Sequence, residues 1–321
     1  MRLLAAALLL FAPQEVARGP YQGWTEAWTL EAGGVRAVVV PGIGGRIVSL
    51  GREGENILWE NPEYLGKTLA DTPPERLRQG YIGYTIDLGP ELRGIPRHLK
   101  LWMGPHRAAS PAAGRLRLES EPDEAVGMRI VRDLFLDPKD GRLSIRHVME
   151  NVSEKEQSYC FWDRTLCAGG GFAFFPLNPK SRFKAGWAQV KDRAYVGDAP
   201  SHPNVKVLDG VLVAKGEGKA SKLGADGDAG WIAYAKGRQL FVKYYPVFPE
   251  GKYTDGGCTV ELYFDPNVCE LEPLSPEVAL PPGGRYEFPG IWALLPIERE
   301  PATHEEARAL VDRVPPNPFR R

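Results

Sequence analysis

Three glutamates near the C-terminal end of the chain have a spacing that would bring their carboxylates together. Glu261 lies in a run of alternating polar and apolar residues, and Glu270 and Glu272 lie in a second such run after an Asp-Pro-Asn turn. Successive side chains of a strand point to opposite faces, so the two runs predict a β-hairpin with one polar face. Carboxylates gathered there would serve proton transfer, a bound polyol or a cation. The alternative is an acidic face exposed to solvent.

The register of this hairpin follows from matching the polar faces of its two strands. We predict that Glu261 lies opposite Glu270. The same register places Thr259 opposite Glu272. Like charges that face each other directly destabilise a sheet. A bound cation, a polyol or a shared proton would offset that cost.

Further side chains suited to a binding site occur in three segments that combine aromatic and charged residues. The candidates are His98, His106 and Arg107 in the first segment, Trp162, Asp163 and Arg164 in the second, and Tyr253 and Asp255 in the third. Each also has a structural interpretation, as a surface histidine, a local ion pair or a packed aromatic ring. His147 differs, because it shares a strand face with apolar residues, and we predict that it is buried.

The composition limits the classes of partner. The chain has 321 residues, with 40 basic and 41 acidic side chains and a net charge of −1. This balance gives no electrostatic basis for binding nucleic acid or an anionic membrane. The 36 glycines and 29 prolines, spread among short apolar runs, favour β structure rich in turns.

The N-terminus has the features of a signal peptide. Arg2 precedes an apolar run over residues 3–11, and Ala12 and Ala17 are candidate cleavage positions. The run is too short to span a membrane. We therefore predict a signal peptide over residues 1–17, export to the periplasm or the extracellular space, and one domain over residues 18–321. The alternative is a buried N-terminal helix.

The cysteines and short motifs argue against several other sites. In the predicted hairpin Cys258 and Cys269 lie too far apart for a disulfide, so we expect buried thiols. The chain lacks a Cys-x-x-Cys or His-x-x-His pair, and therefore lacks a zinc motif. It also lacks the Gly-x-Ser-x-Gly elbow of serine hydrolases. We predict no cofactor and no metal, with calcium at the acidic patch beside Asp255 as an alternative.

The elements that position these residues are almost all strands. About eighteen β segments follow one another without a linker, which favours a large sandwich or barrel. The exception is a helix predicted over residues 303–314, where Thr303 and Glu306 have the spacing of a capping box.

Five stretches in this order resemble the galactose mutarotase-like superfamily, in a bacterial branch related to aldose 1-epimerases. They are PGIGGRIVSLG, ILWENP, LSIRHVMENVSEKEQSYCFWDRT, GWIAYAKGRQLFVKYY and CELEPLSPEVALPPGGRYEFPGIWALLP. The resemblance covers residues 24–296. It implies an all-β supersandwich, with two large antiparallel sheets, a short C-terminal helix and a sugar-binding groove.

The resemblance also implies roles for individual residues. Glu272 matches the glutamate that is the general base in aldose 1-epimerases. The stretch that supplies the catalytic histidine in those enzymes contains none here, which leaves Asp163 as the candidate acid. Arg164 beside it would lower the pKa of that carboxyl. Asp255 matches a sugar-binding aspartate, and the segment of His98, His106 and Arg107 matches a region that supplies a histidine and an arginine.

These observations predict an exported protein that binds or processes a mono- or oligosaccharide. Mutarotation needs a base and an acid, and the missing histidine favours binding over ordinary epimerase chemistry. An aldose 1-epimerase with a substituted acid is the second hypothesis. A noncatalytic structural or assembly module is the third.

Overall fold

Alternating side chains along most of the chain produce strands, and α-helix is confined to short segments. The computed structural model describes residues 16–72 and 82–320. Within them, the strands form two sheets, and every pairing is antiparallel. The predicted fold class, an all-β sandwich of two large sheets with a short C-terminal helix, is confirmed.

The first sheet of the described chain has twelve strands. Its order is β1 (Ala17–Tyr21), β2 (Trp24–Ala32), β3 (Val35–Val40), β4 (Arg46–Arg52), β5 (Tyr84–Gly89), β10 (Gln157–Ala168), β20 (Val268–Pro273), β19 (Val260–Phe264), β16 (Ser221–Ala225), β12 (Ala188–Lys191) and β13 (Ala194–Val196), with β21 (Val278–Leu280) paired to β10.

The second sheet has ten strands in the same described residues. Its order is β14 (Val205–Leu208), β15 (Val211–Lys215), β11 (Phe172–Pro176), β17 (Trp231–Lys236), β18 (Gln239–Tyr244), β22 (Arg285–Pro296), β9 (Leu143–Asn151), β8 (Met128–Leu136), β7 (Arg115–Ser120) and β6 (His106–Ala109).

The two sheets pack face to face. Strand β10 distinguishes the inner side of the first sheet, which faces the second sheet, from its outer side. Phe161 is fully buried and its ring stacks 6.4 Å from Phe288 of the second sheet. Burying such a side chain contributes about 1.5–3 kcal/mol. Because strand side chains alternate, Trp162 and Arg164 project from the opposite side, away from the second sheet. That outer side carries the candidate site.

The predicted hairpin register is wrong by two residues. Glu261 lies opposite Glu272, and Tyr263 lies opposite Glu270. The turn explains the difference, because Asp265 Oδ1 accepts the backbone N–H groups of Asn267 at 2.7 Å and Val268 at 3.0 Å. A shift of two residues leaves every side chain on its predicted face. The three glutamates therefore share one face as predicted, but the solvent-exposed alternative is wrong because all three are buried.

The corner between β3 and β4 brings the backbone close to the site. Residues Pro41–Ile43 form a 3₁₀ turn, and Gly44 follows with a φ of 78°. A Cβ atom on Gly44 would lie 2.3 Å from the carbonyl oxygen of Trp102. Trp102 ends helix α1 (Leu99–Trp102), so this glycine permits the corner to pack against α1.

The C-terminal helix is present but shorter than predicted. Helix α2 spans His304–Ala309, and a 3₁₀ segment continues it over Leu310–Arg313. Thr303 caps α2 by accepting the backbone N–H of Glu306 at 3.2 Å. Ala307 is buried against the outer side of the second sheet.

Several smaller predictions are also settled by the fold. His147 is buried as predicted, with Nδ1 2.8 Å from the carbonyl oxygen of Phe288. All four cysteines are free and buried, so the expected thiols at Cys258 and Cys269 are confirmed. In the described chain, the longest apolar helix falls short of the length needed to cross a membrane.

The predicted boundary between the signal peptide and the domain, after residue 17, stays a prediction. Ala17 is the first residue of β1 and pairs with Thr29. The rest of the predicted signal peptide, residues 1–15, lies outside the described residues. Export stays a prediction.

Candidate functional site

A groove runs across the outer side of the first sheet, where β5, β10, β20, β19 and β16 lie side by side. It consists of two adjoining cavities that share Glu91, Trp162 and Arg164. The glutamate cavity has a volume of about 250 Å³ and is lined also by Lys222, Glu270 and Glu272. The arginine cavity has a volume of about 310 Å³ and is lined also by Asp87, Arg97, His98 and Arg193.

Lys222 is the centre of the charge network in the glutamate cavity. It lies on β16, and its Nζ atom is 2.8 Å from Glu91, 3.0 Å from Glu261 and in direct contact with Glu272. Burial lowers the pKa of Lys222, but the carboxylates outweigh it and hold that pKa well above its usual value. Lys222 is therefore a charged ammonium that holds three carboxylates together.

Glu272 has one oxygen engaged and one oxygen free. Its Oε2 atom accepts the indole N–H of Trp162 at 3.0 Å and contacts Lys222. Its Oε1 atom is buried and has no hydrogen-bond partner among the described residues. Burial raises the pKa of Glu272 well above its usual range; Lys222 opposes this, and Glu270 adds to it. A buried acceptor without a partner costs about 1–3 kcal/mol, so Oε1 is suited to binding a ligand hydroxyl.

Arg164 separates the two cavities and is held from both sides. Its Nε donates to Glu270 Oε1 at 2.7 Å, and its Nη1 lies 3.5 Å from Asp87 Oδ2. Its guanidinium lies over the rings of Trp102, at 4.6 Å, and Trp162, at 4.2 Å. Cation–π contacts of this kind are strongest when desolvated, so Arg164 is a fixed part of the groove floor.

The same aromatic contacts continue on both sides of Arg164. The Arg46 guanidinium lies 4.2 Å from the centre of the Trp102 ring, and Lys222 Nζ lies 4.6 Å from that of Trp162. Burial lowers the pKa of Arg46 to about 9, and the nearby Arg164 contributes. Cations and indole rings thus alternate across the width of the groove.

His98 forms a buried pair with Asp87 in the arginine cavity. Its Nε2 lies 2.6 Å from Asp87 Oδ1, and its Nδ1 lies 2.8 Å from the carbonyl oxygen of Pro96. Burial disfavours the charged ring, but Asp87 prevails and raises the pKa of His98. Because both partners accept hydrogen bonds, both ring nitrogens are placed to donate, and this geometry favours the protonated ring.

Four of the residues predicted from the sequence meet in this groove: Glu272, Trp162, Arg164 and His98. Asp255 lies beside it in a supporting position. Its two carboxylate oxygens accept the backbone N–H groups of Glu91 at 3.0 Å and Leu92 at 2.9 Å. Asp255 therefore positions the loop that carries Glu91. The Tyr253 hydroxyl accepts the N–H of Phe248 within its own loop and does not line either cavity.

Three other predicted residues are not brought to the groove. Asp163 lies on the inner side of β10, where it is buried and paired with Lys243 of β18. His106 is buried with its Nδ1 3.3 Å from Arg132. Arg107 lies on β6 of the second sheet and pairs with Glu119. The inner-facing position of Asp163 follows from strand alternation, because its neighbours Trp162 and Arg164 face outward.

Sequence reasoning missed Lys222, Glu91 and Asp87. Two of them carried a usable signal, because Lys222 and Asp87 are charged residues that interrupt otherwise apolar strands. A charge inside such a run is expected to have a partner. Glu91 lies in the loop after β5, where no periodicity fixes its direction.

Comparison with solved structures identifies the fold. A galactose mutarotase-like protein from Lactobacillus casei ATCC 334 superposes with a TM-score of 0.60 at 12% identity, covering 84% of this chain and 100% of that one. A galactose mutarotase related enzyme from Lactobacillus acidophilus gives 0.56 at 12%, covering 86% and 99%. A galactose mutarotase-like protein from Clostridium acetobutylicum gives 0.56 at 11%, covering 88% and 98%.

The sequence comparisons add no family assignment. No protein-family model matches this chain, and no curated protein matches it. The solved structures show that the chain has the galactose mutarotase-like fold, as the sequence resemblance predicted.

Proposed function

We propose that this protein binds a carbohydrate in the glutamate cavity. The observation that carries the proposal is the buried Glu272 carboxylate, whose Oε1 has no partner among the described residues, beside Trp162 in a cavity of about 250 Å³. Small-ligand sites combine apolar walls with a few fixed polar groups. A sugar hydroxyl that donates to Oε1 would satisfy the orphaned acceptor. Export from the cytoplasm, based on residues 1–17, is part of the same proposal.

The composition of the groove favours a sugar over other small molecules. Its walls present carboxylates, cations and indole rings in contact with one another, and a polyol offers donors, acceptors and C–H faces to match them. Three solved structures with this fold are named galactose mutarotase-like or galactose mutarotase related, which favours the same class of ligand.

The proposal is tested by comparing two buried glutamates that contact the same lysine. We expect the wild-type protein to bind glucose, galactose or a disaccharide of either in calorimetry or ligand-observed NMR. Glu272→Gln should weaken binding about tenfold to hundredfold, as expected for the loss of a hydrogen bond to a charged group. Glu261→Gln is the matched control, because Glu261 pairs with Lys222 but does not line the cavity.

Two results would contradict the proposal. A wild-type protein without affinity for any of these sugars would favour the noncatalytic module. Equal losses of sugar affinity in the two variants would show that binding depends on the carboxylates that compensate the charge of Lys222, and not on contact between the sugar and Glu272.

A second candidate function is anomer exchange, which is favoured by the presence of Glu272 and His98 in adjoining cavities of one groove. Glu272 would take the proton of the anomeric hydroxyl while a proton from the His98–Asp87 pair reaches the ring oxygen. The bond between the anomeric carbon and the ring oxygen then breaks and leaves an open-chain aldehyde. Rotation and the reverse steps give the other anomer. This replaces Asp163, the acid predicted from the sequence, with a group that lines the groove.

Exchange NMR on glucose and galactose separates turnover from binding. If the second candidate holds, the wild-type protein should increase the rate of α–β exchange, and Glu272→Gln should lower the catalysed rate about 10²–10⁴-fold, the usual contribution of a general base. Glu261→Gln should retain most of the rate. A wild-type protein that binds sugar without accelerating exchange would leave binding as the function.

A further inference from the structure

We infer that the arginine cavity binds an anionic substituent on a second sugar residue, so that the ligand is an acidic disaccharide or longer chain. This rests on the proposed binding of a sugar in the glutamate cavity. The two cavities adjoin at Trp162 and Arg164. Each is near the lower limit of about 300 Å³ for small-molecule sites, which suits one sugar ring in each.

Two of the charged side chains that line the arginine cavity lack an ion-pair partner within the described part of the chain. Asp87 lies 2.6 Å from His98, and Glu91 shares Lys222 with Glu261 and Glu272. Arg97 and Arg193 also line this cavity, and both are exposed. Neither forms an ion pair with a carboxylate in residues 16–72 or 82–320. The cavity therefore presents two guanidinium groups without a carboxylate partner among the described residues.

Two guanidinium groups at one cavity suit an anion with several oxygens. The planar fork of arginine donates two parallel hydrogen bonds to a carboxylate or phosphate group, which a lysine ammonium does not. An uronic acid carboxylate and a sugar phosphate share this chemistry. The neutral hydroxyl groups of an ordinary hexose would leave both positive charges without a partner.

The backbone at Arg193 supports a role beyond the turn itself. Arg193 lies between β12 and β13, and both Asp192 and Arg193 have positive φ, at 49° and 61°. Two-residue hairpin turns with this geometry prefer Asn-Gly or Asp-Gly, since a side chain at the second position is strained. Strain of this kind clusters at ligand sites. The turn chemistry does not account for an arginine at position 193, whereas an anion subsite does.

The test compares three disaccharides that differ in one substituent. They are a neutral glucose disaccharide, the same disaccharide with glucuronate in place of one glucose, and its 6-phosphate. We expect one of the two acidic ligands to bind about tenfold or more tightly than the neutral one in calorimetry at low salt. Preference for the glucuronate or for the phosphate identifies the source of the negative charge. Added salt should reduce this preference, because the arginines are exposed.

Variants of the two arginines test whether the preference arises in this cavity. In the double variant R97Q/R193Q, the ratio of acidic to neutral affinity should fall to about one. Arg107→Gln is the matched control, because Arg107 is an exposed arginine on the other sheet, and it should retain the wild-type ratio.

The anion subsite and sugar binding itself can fail separately in these experiments. Equal affinities for neutral and acidic disaccharides in the wild type, or a ratio unaffected by R97Q/R193Q, would overturn the anion subsite while sugar binding stands. An absence of binding to all three ligands would overturn both.

Discussion

Replacing Lys222 with methionine should destabilise the folded protein by about 3–5 kcal/mol at pH 8, the usual cost of removing one partner of a buried ion pair. The ammonium group contacts three carboxylates, and those of Glu261 and Glu272 are almost completely buried. Without Lys222 these two carboxylates face each other on neighbouring strands. Each buried carboxylate must then either remain charged without a partner or bind a proton, and both are costly.

The same change should make stability depend more steeply on pH. Burial raises the pKa of Glu261 and Glu272 in the folded state, and Lys222 is the main influence that lowers it. A carboxyl with a raised folded pKa stabilises below its unfolded pKa of about 4.3, and this contribution is lost as pH rises through the folded value. Lys222→Met removes the opposing influence. Its stability should therefore fall more between pH 5 and pH 8 than that of the wild type.

Urea unfolding at pH 5 and pH 8 measures both effects. Lys206→Met is the control, since Lys206 and Glu305 form an exposed pair at 3.0 Å, and such pairs contribute about 0–1 kcal/mol. Adding Glu261→Gln to Lys222→Met should restore part of the stability at pH 8, because it removes one of the unpaired charges. A loss below about 1 kcal/mol in Lys222→Met at pH 8 would contradict the central role of this lysine.

The parts of the site that were predictable from sequence are those governed by alternation. The polar face of the last hairpin followed from a period of two, and Glu272 was correctly assigned to that face together with Glu261 and Glu270. The pairing of these residues depends on the turn, where Asp265 accepts two backbone N–H groups. Side-chain periodicity carries no information about that turn, so faces were predicted correctly and partners were not.

The rest of the candidate site could not be predicted without knowing the order of the strands in the sheet. Lys222 and Glu272 are 50 residues apart, and they meet because β19 lies between β16 and β20. His98 and Asp87 meet because the short helix α1 follows the loop after β5. Charge pairs between distant strands depend on this topology, which one sequence specifies only through the complete fold. The same limit explains why Lys222 was overlooked although it contacts the residue predicted to be central.

The alternation of side chains along a strand also separates two neighbouring residues for which one shared role was predicted. Asp163 and Arg164 were predicted together as sugar contacts or as a local ion pair. Consecutive strand residues point to opposite sides, so only one of them can reach the groove. Arg164 contacts Glu270 on the outer side. Asp163 pairs with Lys243 between the sheets, and that position gives it a structural role.

Replacing Lys243 with methionine should therefore destabilise the protein by about 3–5 kcal/mol, again as the cost of leaving a buried charge without its partner. Lys243 Nζ contacts Asp163, lies 2.5 Å from Thr165 Oγ1 and lies near the rings of Tyr84 and Trp292. Asp163→Asn alone should be similarly costly. The double variant D163N/K243M should recover much of the loss, since neither member of the pair is then charged and methionine fills the space of the lysine stem.

Sugar affinity in the double variant distinguishes a structural Asp163 from a catalytic or ligand-binding one. If Asp163 only anchors β10 to β18, D163N/K243M should unfold at urea concentrations closer to the wild type than either single variant and bind sugar within about threefold of wild type. Glu272→Gln should lose affinity in the same assay without a comparable loss of stability, because the amide oxygen of the substituted side chain can still accept the Trp162 N–H. Loss of sugar binding in a stable double variant would contradict the purely structural role of Asp163. It would show that a change on the inner side of β10 alters binding in the groove.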